Sequence, residues 1–403
     1  MKRQLDLRTG RTVWSAYRAP AVPYSELRRD IRTEVLVIGM GISGAMIAEA
    51  LTQTSHEVVC IDRRRPIDGS TAATTALVQY EIDHPLSLLT ARIGRAMAER
   101  AWRRAMLGVT NLTARISELG IKCDMSARQS LYLDGTLLSP AQLREEQEAR
   151  NRAGLHCFHL PPAALKERFG IADRSALLGY GNLALDPRKL TSGLLRKAID
   201  RKARLYAPVE AMEIEGGRDS VRVATKDGPL IVADHVVLAT GYELMRIVPQ
   251  SGHTVVSTYA IATHPQKHSL WPGEALIWEA SDPYLYMRTT ADGRVICGGE
   301  DEPFQDEDRR DELIVEKSRC IAAKLERLFP QLDTTPEFAW AGAFGTTSTG
   351  LPLIGKVPGH TRVFAVLGYG GNGITYSQIA SEIITTALAG KIDADADLFA
   401  LRR

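Results

Sequence analysis

The clearest regular pattern of apolar and polar positions lies near the N-terminus, between residues 33 and 62. Glu34 to Ile38 is a short apolar, β-rich run, which predicts a buried strand. Ala45 to Gln53 has its apolar residues at helical spacing and predicts a helix. A second apolar run, Val58 to Ile61, predicts another strand and ends in the acidic residue Asp62. This order is typical of a strand–helix–strand unit in a parallel sheet.

A G-x-G-x-x-G turn joins the first strand to the helix. Gly39 lets the chain turn tightly, Gly41 lets the backbone approach a pyrophosphate, and Gly44 lets helix and strand pack closely. The helix N-terminus then faces the phosphate charge. Asp62 follows Gly39 by 23 residues, close to the spacing of a carboxylate that binds ribose hydroxyls. Strand, turn, helix and acid together predict a dinucleotide site.

A second glycine-rich turn, Gly368 to Gly373, follows the predicted strand Val363–Leu367 and precedes a helix that begins near Ile374. It lacks phosphate-binding spacing. The positive end of its helix dipole would nevertheless suit a cofactor ring that gains negative charge on reduction.

Elsewhere the pattern mixes helices with many short strands and so predicts an α/β protein. Asp186-Pro187 is expected to open a helix, and Ser139 is expected to cap another that has Pro140 at its first position. Predicted helices cover Leu86–Leu119, the segment after Ser139, Arg188–Lys202 and Glu312–Phe329; predicted strands cover Ser130–Leu133, Leu205–Ile214, Ser220–Thr225, Ile231–Thr240, Thr254–Thr263, Ala275–Glu279, Tyr284–Arg288 and Arg294–Cys297.

Composition narrows the class of protein. At 403 residues, two closely packed domains are more plausible than one core. A net charge of +2, without basic runs interleaved with aromatics, argues against a nucleic-acid partner. The five cysteines are scattered and never form C-x-x-C, which argues against disulfides and against a metal site. The charged N-terminus lacks the apolar core of a secretory signal, and no apolar run reaches about 18 residues. We therefore expect a cytoplasmic protein without a membrane span.

Two further segments could contact a bound nucleotide. Gly69 to Thr75 is a run of small and hydroxyl residues that could place N–H and O–H groups against a phosphate or a flat ring, or could be a plain polar loop. Ala239 to Tyr242 ends a buried strand in small residues, which would let the chain pass under a dinucleotide or could be an ordinary strand exit.

These motifs occur together, in order, in one known family. The chain has GMGISG with Asp62-Arg63, GSTAATTALVQYEID, LDPRKL, LATGY, a W-x-G…GLPLIG stretch from Trp340 to Gly355, and GYGGNGITY. Over roughly residues 30 to 390 it resembles the FAD-dependent D-amino-acid-oxidase-like superfamily, which includes glycine and sarcosine oxidases. The subgroup it is most similar to is the gamma-glutamylputrescine oxidoreductases. The resemblance implies a Rossmann-type FAD-binding domain interleaved with an antiparallel β-sheet substrate domain.

The resemblance also implies domain bounds and FAD contacts. The bounds are 1–32 (N-terminal arm, lying across the body or a partner), 33–85, 185–252 and 341–403 (FAD-binding domain), and 86–184 and 253–340 (substrate domain). The implied contacts are Gly39, Gly41, Ile42, Ser43 and Gly44 at the pyrophosphate; Asp62 and Arg63 at the adenosine ribose; Val209 at adenine; Thr240 and Gly241 near the pyrophosphate; Ser70, Thr71, Ala76 and Leu77 along the ribityl chain and ring; and Gly371, Asn372, Gly373, Ile374 and Thr375 at the pyrimidine edge. No cysteine follows Cys320, so the FAD is expected to be non-covalent.

Departures from the family indicate the substrate. The family's carboxylate-binding arginine, four residues after the motif tryptophan, is Phe344 here. The arginine and lysine that sarcosine-oxidase-like members use are Gln79 and Thr375. A buried carboxylate without a cation costs several kcal/mol. The resemblance therefore implies an amine, a polyamine derivative or an N-substituted amine, lined by Gln79, Phe344, Tyr259 and Tyr369.

Two charged residues have alternative interpretations. Glu279 could meet a remote ammonium, although a structurally paired or solvated glutamate is favoured. Arg288 could hold a remote carboxylate, although a salt bridge within the sheet is favoured.

The expected activity is oxidation of a C–N bond by hydride transfer to the flavin, followed by imine hydrolysis, with oxygen or another electron acceptor. Three alternatives stay open. An NAD(P)-dependent dehydrogenase would use the same first unit, with Arg63 to Arg65 at a 2′-phosphate. A non-catalytic flavoprotein, acting in assembly or binding, would also lack carboxylate anchors. A flavin step within a larger nucleic-acid-modifying enzyme is disfavoured because neither an extra domain nor a basic surface is evident.

Overall fold

The computed structural model describes residues 7–249 and 252–401, in which the backbone forms two sheets and nine α-helices. The strands are β1 (Arg8–Gly10), β2 (Ile31–Ile38), β3 (Val58–Ile61), β4 (Leu77–Val78), β5 (Ser126–Leu133), β6 (Phe158–Leu160), β7 (Ala176–Ala184), β8 (Arg204–Tyr206), β9 (Ala211–Gly216), β10 (Val221–Thr225), β11 (Leu230–Leu238), β12 (His253–Thr263), β13 (Leu276–Glu279), β14 (Leu285–Thr289), β15 (Val295–Glu302), β16 (Pro336–Thr347), β17 (Leu353–Lys356) and β18 (Val363–Leu367). The helices are α1 (Ile42–Gln53), α2 (Leu86–Ile93), α3 (Arg95–Glu118), α4 (Pro140–Arg152), α5 (Pro162–Phe169), α6 (Pro187–Asp200), α7 (Glu307–Glu312), α8 (Ile314–Leu328) and α9 (Gly373–Leu388).

The first sheet has the strand order β17-β18-β11-β2-β3-β8, and β10 and β9 extend it from β11. The pairs β18–β11, β11–β2, β2–β3 and β3–β8 are parallel. Because parallel strands end at the same edge, this order brings the loops after β2, β3 and β11 together. Helix α1 packs between α6 and α9 over this sheet. The arrangement confirms the predicted Rossmann-type unit.

The second sheet has the order β1-β16-β12-β15-β14-β13-β5-β7-β4, with β6 paired to β7. Most of its pairs are antiparallel; β13–β5 is parallel. Helix α8 covers one face of this sheet by packing on β12, β15 and β16. Strands of the two sheets alternate along the chain, which confirms the predicted interleaved α/β fold.

At two predicted domain bounds, a strand belongs to a different sheet from the one that the prediction gave it. Strand β4 lies within 33–85 but pairs with β7 of the second sheet. Strand β16 continues to Thr347, seven residues past the predicted bound at 340. The other bounds stay predictions.

The predicted N-terminal arm lies against the body over its described part. Arg8–Gly10 pairs as an edge strand with β16. Trp14 is buried, and its Nε1 donates to the carbonyl of Thr74 at 2.7 Å. Residues 1–6 of the arm are outside the described residues. The arm is therefore part of the second sheet and its packing.

Local signals placed several helix starts correctly. Ser139 caps α4 in a capping box with Gln142, and Pro140 is the first helical residue, as predicted. Asp186 caps α6 by accepting from the amides of Arg188 and Lys189. These side chains satisfy amides that the first helical turn leaves without a partner.

Three predicted elements are broken in the structure. The helix over Leu86–Leu119 is two helices, because Gly94 has a φ of +82° that a helix does not allow. The strand over Leu205–Ile214 is β8 and β9, since Pro208 between them has no N–H for a ladder. The helix over Glu312–Phe329 begins instead at Glu307 and is interrupted at Leu313. Periodicity alone did not reveal these breaks.

Candidate active site

One large cavity lies between the edge of the first sheet and the uncovered face of the second. Its volume is about 1630 Å³, above the roughly 300–1,000 Å³ of most ligand pockets. We call the lining residues within 38–64, 209–226 and 239–247 the nucleotide half. The substrate half is Gln79, Asp83 and the lining residues of β12, β13, β14 and β16. The hydroxyl run (69–77) and the C-terminal turn (369–377) join the halves. The cavity is large enough for a dinucleotide and a substrate together.

The first glycine turn is shaped by backbone contacts that exclude a side chain. Gly39 has a φ of +114°, and a Cβ there would lie 2.3 Å from the carbonyl oxygen of Ala239. A Cβ at Gly44 would lie 1.8 Å from the carbonyl oxygen of Gly39. Gly41 lines the cavity. The atom nearest to a Cβ added at Gly41 would be Thr71 Oγ1, at 3.1 Å. Gly44 does not line the cavity, and its role is the close packing of α1 on β2.

The first turn of α1 is fixed by hydroxyl groups. The amide of Ile42 donates to Thr71 Oγ1 at 3.0 Å. Ser43 lines the cavity and its hydroxyl lies 2.8 Å from that of Ser377 on α9. Helix α1 and helix α9 therefore meet at the cavity wall with both N-termini near it.

Asp62 lies at the end of β3 and lines the cavity. Its carboxylate accepts hydrogen bonds from the amides of Met40 at 2.7 Å and Arg64 at 2.8 Å. Burial raises the pKa of Asp62, and these hydrogen bonds oppose that shift. Each oxygen has a further lone pair, so the side chain can still accept from a ribose hydroxyl.

The arginines after Asp62 are already paired with acids. Arg64 Nη1 lies 2.8 Å from Glu243, and Arg63 also pairs with Glu243. Arg63 has a second acidic partner, Glu210, whose carboxylate lies 3.9 Å from Arg63 Nη1. Glu243 lies just beyond Thr240 and Gly241, both of which line the cavity with Val209. Because their charge is compensated, these arginines are poorly suited to a 2′-phosphate.

The hydroxyl run faces the cavity because two buried tryptophans hold its backbone from behind. Trp14 Nε1 donates to the carbonyl of Thr74, and Trp340 Nε1 donates to that of Ala73 at 2.8 Å. The lining members are Gly69, Ser70, Thr71, Ala73, Thr74, Thr75 and Leu77. Ala76 is not among them: it has a φ of +57°, and its carbonyl accepts from Arg288 on the opposite side. Ala76 therefore does not line the cavity, unlike its predicted neighbours Ser70, Thr71 and Leu77.

The C-terminal turn lines the same cavity through Gly370, Gly371, Asn372, Gly373 and Ile374. Asn372 Nδ2 donates to the carbonyl of Glu81 at 2.6 Å. Helix α9 begins at Gly373, so its first amides face the cavity. The two glycine turns, one near each end of the sequence, thus belong to one site.

Thr375 does not line the cavity, contrary to the prediction. It is fully buried, and its hydroxyl donates to the backbone carbonyl of Gln79 at 2.8 Å. It ties the segment after β4 to α9. Its role is to hold Gln79 in place, and it makes no wall for a ligand.

Tyr259 was also placed wrongly. Side chains alternate across a strand, and Tyr259 is on the face of β12 that α8 covers, with Lys317 Nζ 5.8 Å from its ring centre. Its neighbour Thr258 lines the cavity instead. The substrate half also contains Trp278, Tyr286 and Tyr284, which directly precedes β14; none of the three is among the predicted residues. The signal was available, since Leu285 and Met287 alternate with these tyrosines and enter the core.

The other substrate-lining predictions lie where they were expected. Gln79, Phe344 and Tyr369 line the cavity. Gln79 is 5% exposed, and its Oε1 has no hydrogen-bond partner within the described part of the chain. The Tyr369 ring meets Tyr242 edge to face at 6.4 Å. Gln79 therefore offers a buried acceptor to a ligand.

Glu279 and Arg288 are structural. Glu279 pairs with Arg174 at 3.0 Å, which confirms the favoured interpretation. Arg288 is buried and makes no sheet salt bridge among the described residues; it donates to the carbonyls of Ala76, Leu185 and Thr289. Burial lowers the pKa of Arg288 to about 10. The predicted salt bridge is wrong, because carbonyl groups satisfy this guanidinium.

These residues fit FAD. The Gly41 backbone and the α1 N-terminus can meet a pyrophosphate, and Asp62 can meet a ribose. The hydroxyl run lies between them and the C-terminal turn, whose helix N-terminus can stabilise negative charge on a ring. The donor set is therefore that of an elongated, anionic dinucleotide with a flat ring.

Comparison with known proteins supports this fit. The FAD dependent oxidoreductase family, DAO, matches residues 34–387. The chain belongs to this family. It is therefore an FAD-dependent oxidoreductase, as predicted, and the NAD(P)-dependent alternative has no support. The match includes both glycine turns and the strands between them.

Two curated members of the family are similar over most of their length. Gamma-glutamylputrescine oxidoreductase of Escherichia coli (strain K12) is 25% identical over 389 residues, which cover 93% of this chain and 89% of that protein. Probable oxidoreductase OrdL of Rhizobium meliloti (strain 1021) is 25% identical over 391 residues, covering 89% and 84%. The glycine oxidase of Geobacillus kaustophilus shares the fold, with a TM-score of 0.76, 18% identity and coverage of 92% and 99%.

The described residues contain no group of three or more His, Cys, Asp or Glu side chains placed to hold a metal ion. Of the helices described, none has the length and apolar character needed to cross a membrane.

Proposed function

We propose that this family member oxidises a C–N bond of an amine that carries no carboxylate on the reacting carbon, such as a polyamine derivative or an N-substituted amine. The observation that carries the proposal is the charge of the substrate half. Gln79 and Phe344 line it, and the carboxylate of Asp83 lines it with them. An α-amino acid would have to bury its carboxylate there without a cation, at a cost of several kcal/mol.

The positively charged lining residues support this interpretation. Among the described lining residues these are Arg63, Arg64, Lys226, Arg246 and His253. The first three pair with Glu243 or Glu210, and Arg246 is exposed on the loop after β11, so all four belong to the nucleotide half. Burial lowers the pKa of His253, which favours its neutral form. The substrate half thus offers the acid Asp83 and aromatic rings where an amino-acid oxidase would need a cation.

The chemistry also favours an uncharged, oriented amine. When bound, FAD supplies the acceptor for the hydride that leaves the carbon of the C–N bond, and water converts the imine product to a carbonyl compound and an amine. The residues of this chain orient the substrate: the roof of Trp278, Tyr284 and Tyr286 limits water, and the start of α9 places partial positive charge at the cavity wall. No side chain needs to act as a strong base.

The name of one relative agrees with an amine substrate: it is a gamma-glutamylputrescine oxidoreductase. The five cysteines are free, which supports a reducing, cytoplasmic location. No cysteine lines the cavity among the described residues, which supports non-covalent FAD. Acid precipitation should therefore release all flavin into the supernatant; flavin retained on the precipitated chain would contradict this part.

The test is anaerobic titration of the FAD-bound protein with two sets of compounds. The first set contains n-butylamine, N-methylbutylamine, 1,4-diaminobutane and γ-glutamyl-1,4-diaminobutane; the second contains glycine, sarcosine and D-alanine. We expect one or more amines to bleach the oxidised flavin band within the mixing time and the amino acids to leave it unchanged. Bleaching by the amino acids alone would contradict the proposal. Bleaching by neither set would favour the non-catalytic alternative. Admitting air after reduction then tells whether oxygen serves as the electron acceptor.

A further inference from the structure

A carboxylate projects into the substrate half where the second glycine turn makes room for it. Asp83 lines the cavity and accepts from the amide of Gly371 at 2.9 Å. A Cβ at Gly370 or Gly371 would lie 2.2 or 2.7 Å from its oxygens. The GYGG sequence of the turn is therefore needed to seat this acid, besides any contact with the cofactor.

A second acid approaches from the roof. On β15, Glu300 and Glu302 pair with Lys324 and Lys317 of α8, on the covered face of the sheet. Asp301 lies between them in sequence. It is not itself a lining residue, but its carboxylate lies beside the hydroxyls of Tyr284 and Thr258, which do line the cavity. Its Oδ1 is buried and finds no hydrogen-bond partner in the described chain.

The two acids share an environment without a compensating cation. The pKa of each is raised to about 6, mainly by burial, and the negative charge of Asp301 is part of the shift of Asp83. No arginine, lysine or histidine contributes to either shift. Both residues are partly exposed, so water can solvate their ionised forms, and an ammonium group of a ligand would supply the positive charge that their surroundings lack.

Aromatic rings complete the surroundings of these acids. Tyr284 and Tyr286 line the cavity with ring centres 5.6 Å apart. Across the site, the Tyr242–Tyr369 pair lies near Asp83: the pKa of Tyr242 is raised mainly by burial, and the charge of Asp83 adds to that shift. The faces of such rings attract ammonium groups.

Two buried polar atoms give independent evidence for a ligand. Gln79 Oε1 and Trp278 Nε1 belong to lining side chains that are 5% and 8% exposed. Neither atom has a hydrogen-bond partner among residues 7–249 and 252–401. Leaving such buried groups unpaired destabilises the protein. They are satisfied if a polar molecule occupies this part of the cavity.

We propose that Asp83 and Asp301, with the surrounding tyrosines, bind a second, non-reacting ammonium group of the substrate, which makes the substrate a diamine or polyamine. The inference rests on the proposed amine oxidation and narrows its substrate class. A nitrogen that loses hydride from its neighbouring carbon needs a free lone pair, and a carboxylate beside it would favour the protonated form. The acids therefore suit the nitrogen that does not react.

The test measures binding without turnover. A quaternary nitrogen has no lone pair, so 1,4-bis(trimethylammonio)butane and butyltrimethylammonium are cations of similar length that the enzyme cannot oxidise. Isothermal titration of the FAD-bound protein should give at least about tenfold tighter binding of the dication, which corresponds to about 1.4 kcal/mol. Asp83→Asn and Asp301→Asn should each remove most of that preference and change the affinity for the monocation less than about threefold.

Matched variants separate this role from a structural one. Asp234→Asn removes an exposed acid that pairs with Arg32 on the first sheet, and it should leave the preference unchanged. Tyr284→Leu keeps both acids and should lower dication affinity by removing a ring; it also serves if an aspartate variant does not fold. FAD content and melting temperature of each variant report whether the fold is intact.

The outcomes distinguish this inference from the proposed function. Equal affinity for dication and monocation in the wild type would overturn the cation site, as would equal loss of both in the aspartate variants. Amines that bleach the flavin while the dication shows no preference would leave amine oxidation standing without the site. Tight dication binding with no bleaching by any amine would leave the site standing and contradict the oxidation.

Discussion

The two halves of the cavity are built in different ways. The nucleotide half is made largely of backbone: Gly39 and Gly41 come from one short segment, and its arginines are neutralised by Glu243. The substrate half is made of side chains from separate strands. Its acid Asp83, and Asp301 beside its Tyr284, have no cation among the main groups that shift their pKa values.

This difference shows which part of the site can vary. Backbone geometry that only glycine permits cannot change without disturbing the packing of α1 on β2. A side chain on the roof can change while the sheet stays intact. The chain accordingly shares its fold with a glycine oxidase at 18% identity, yet no arginine or lysine lines its substrate half within residues 7–249 and 252–401. Four variants test this division.

The largest effect is expected from Gly44→Val. Its side chain would occupy the space of the Gly39 carbonyl oxygen, 1.8 Å from the Cβ position, and would separate α1 from β2. We expect loss of soluble protein, or folded protein that retains less than about a tenth of the flavin per chain. Absorbance and circular dichroism measure both. Gly154→Asn, at an αL helix end with open space around it, is the control and should keep full flavin. A Gly44→Val protein with full flavin content would contradict the claim that the nucleotide half depends on backbone geometry that only glycine permits.

Phe344→Arg should restore a carboxylate anchor. A charge-assisted hydrogen bond contributes about 1.5–3 kcal/mol, so kcat/KM for glycine or sarcosine should rise about tenfold or more from its baseline, while that for the best amine falls. Steady-state assays with both substrate types provide the measurement. Phe158→Arg, on the exposed edge strand β6, adds the same charge away from the cavity. A rise in both variants, or in neither, would contradict the assigned role of Phe344.

Asp83→Asn should change the pH dependence of stability. The pKa of Asp83 is about 6 in the folded protein and about 3.9 in an unfolded chain. Between these pH values the folded state holds a proton that the unfolded chain has released. The resulting contribution to the free energy of unfolding is fully present below pH 4 and is lost as the pH rises through 6. The asparagine variant does not lose this stabilisation as the pH rises. The difference in melting temperature, variant minus wild type, should therefore be larger at pH 8 than at pH 4.5 by about 2 °C or more. The same difference at both pH values would show that the carboxyl is not perturbed.

The smallest effect is expected from Tyr259→Phe. Its ring packs against α8, on the face of β12 away from the cavity. Removing the hydroxyl should change kcat/KM for any amine less than about twofold. Tyr286→Phe, on the cavity face, is the matched comparison. A loss greater in Tyr259→Phe than in Tyr286→Phe would mean that the two faces of the sheet have been assigned the wrong way round.

The sequence revealed most where one short segment contains the whole feature. Strand, glycine turn, helix and Asp62 are consecutive, so their spacing alone predicted the nucleotide half. The C-terminal turn was found in the same way. Broken elements such as α2 and α3 were missed, because hydrophobic periodicity continues across Gly94 although its φ does not allow a helix.

The substrate half could not be derived in the same way. Which face of β12 lines the cavity depends on how this strand pairs with distant strands. The sequence therefore predicts Tyr259 as a lining residue, whereas its neighbour Thr258 lines the cavity in the structure. Thr375 and Ala76 are beside the cavity in sequence, but backbone contacts direct them elsewhere. Asp83 and Asp301 are 218 positions apart, in the segment after β4 and at the end of β15, and only the three-dimensional fold brings them close enough for the charge of Asp301 to act on Asp83.

The measurement that most directly tests the account is a crystal structure of the protein grown with FAD. It should show one FAD per chain, with the pyrophosphate at the Gly39–Gly44 turn, the adenosine ribose at Asp62 and the pyrimidine edge of the ring at the backbone of Gly371–Ile374. A flavin that contacts only one of the two turns, or a nucleotide bound outside this cavity, would contradict the claim that both glycine turns form one cofactor site.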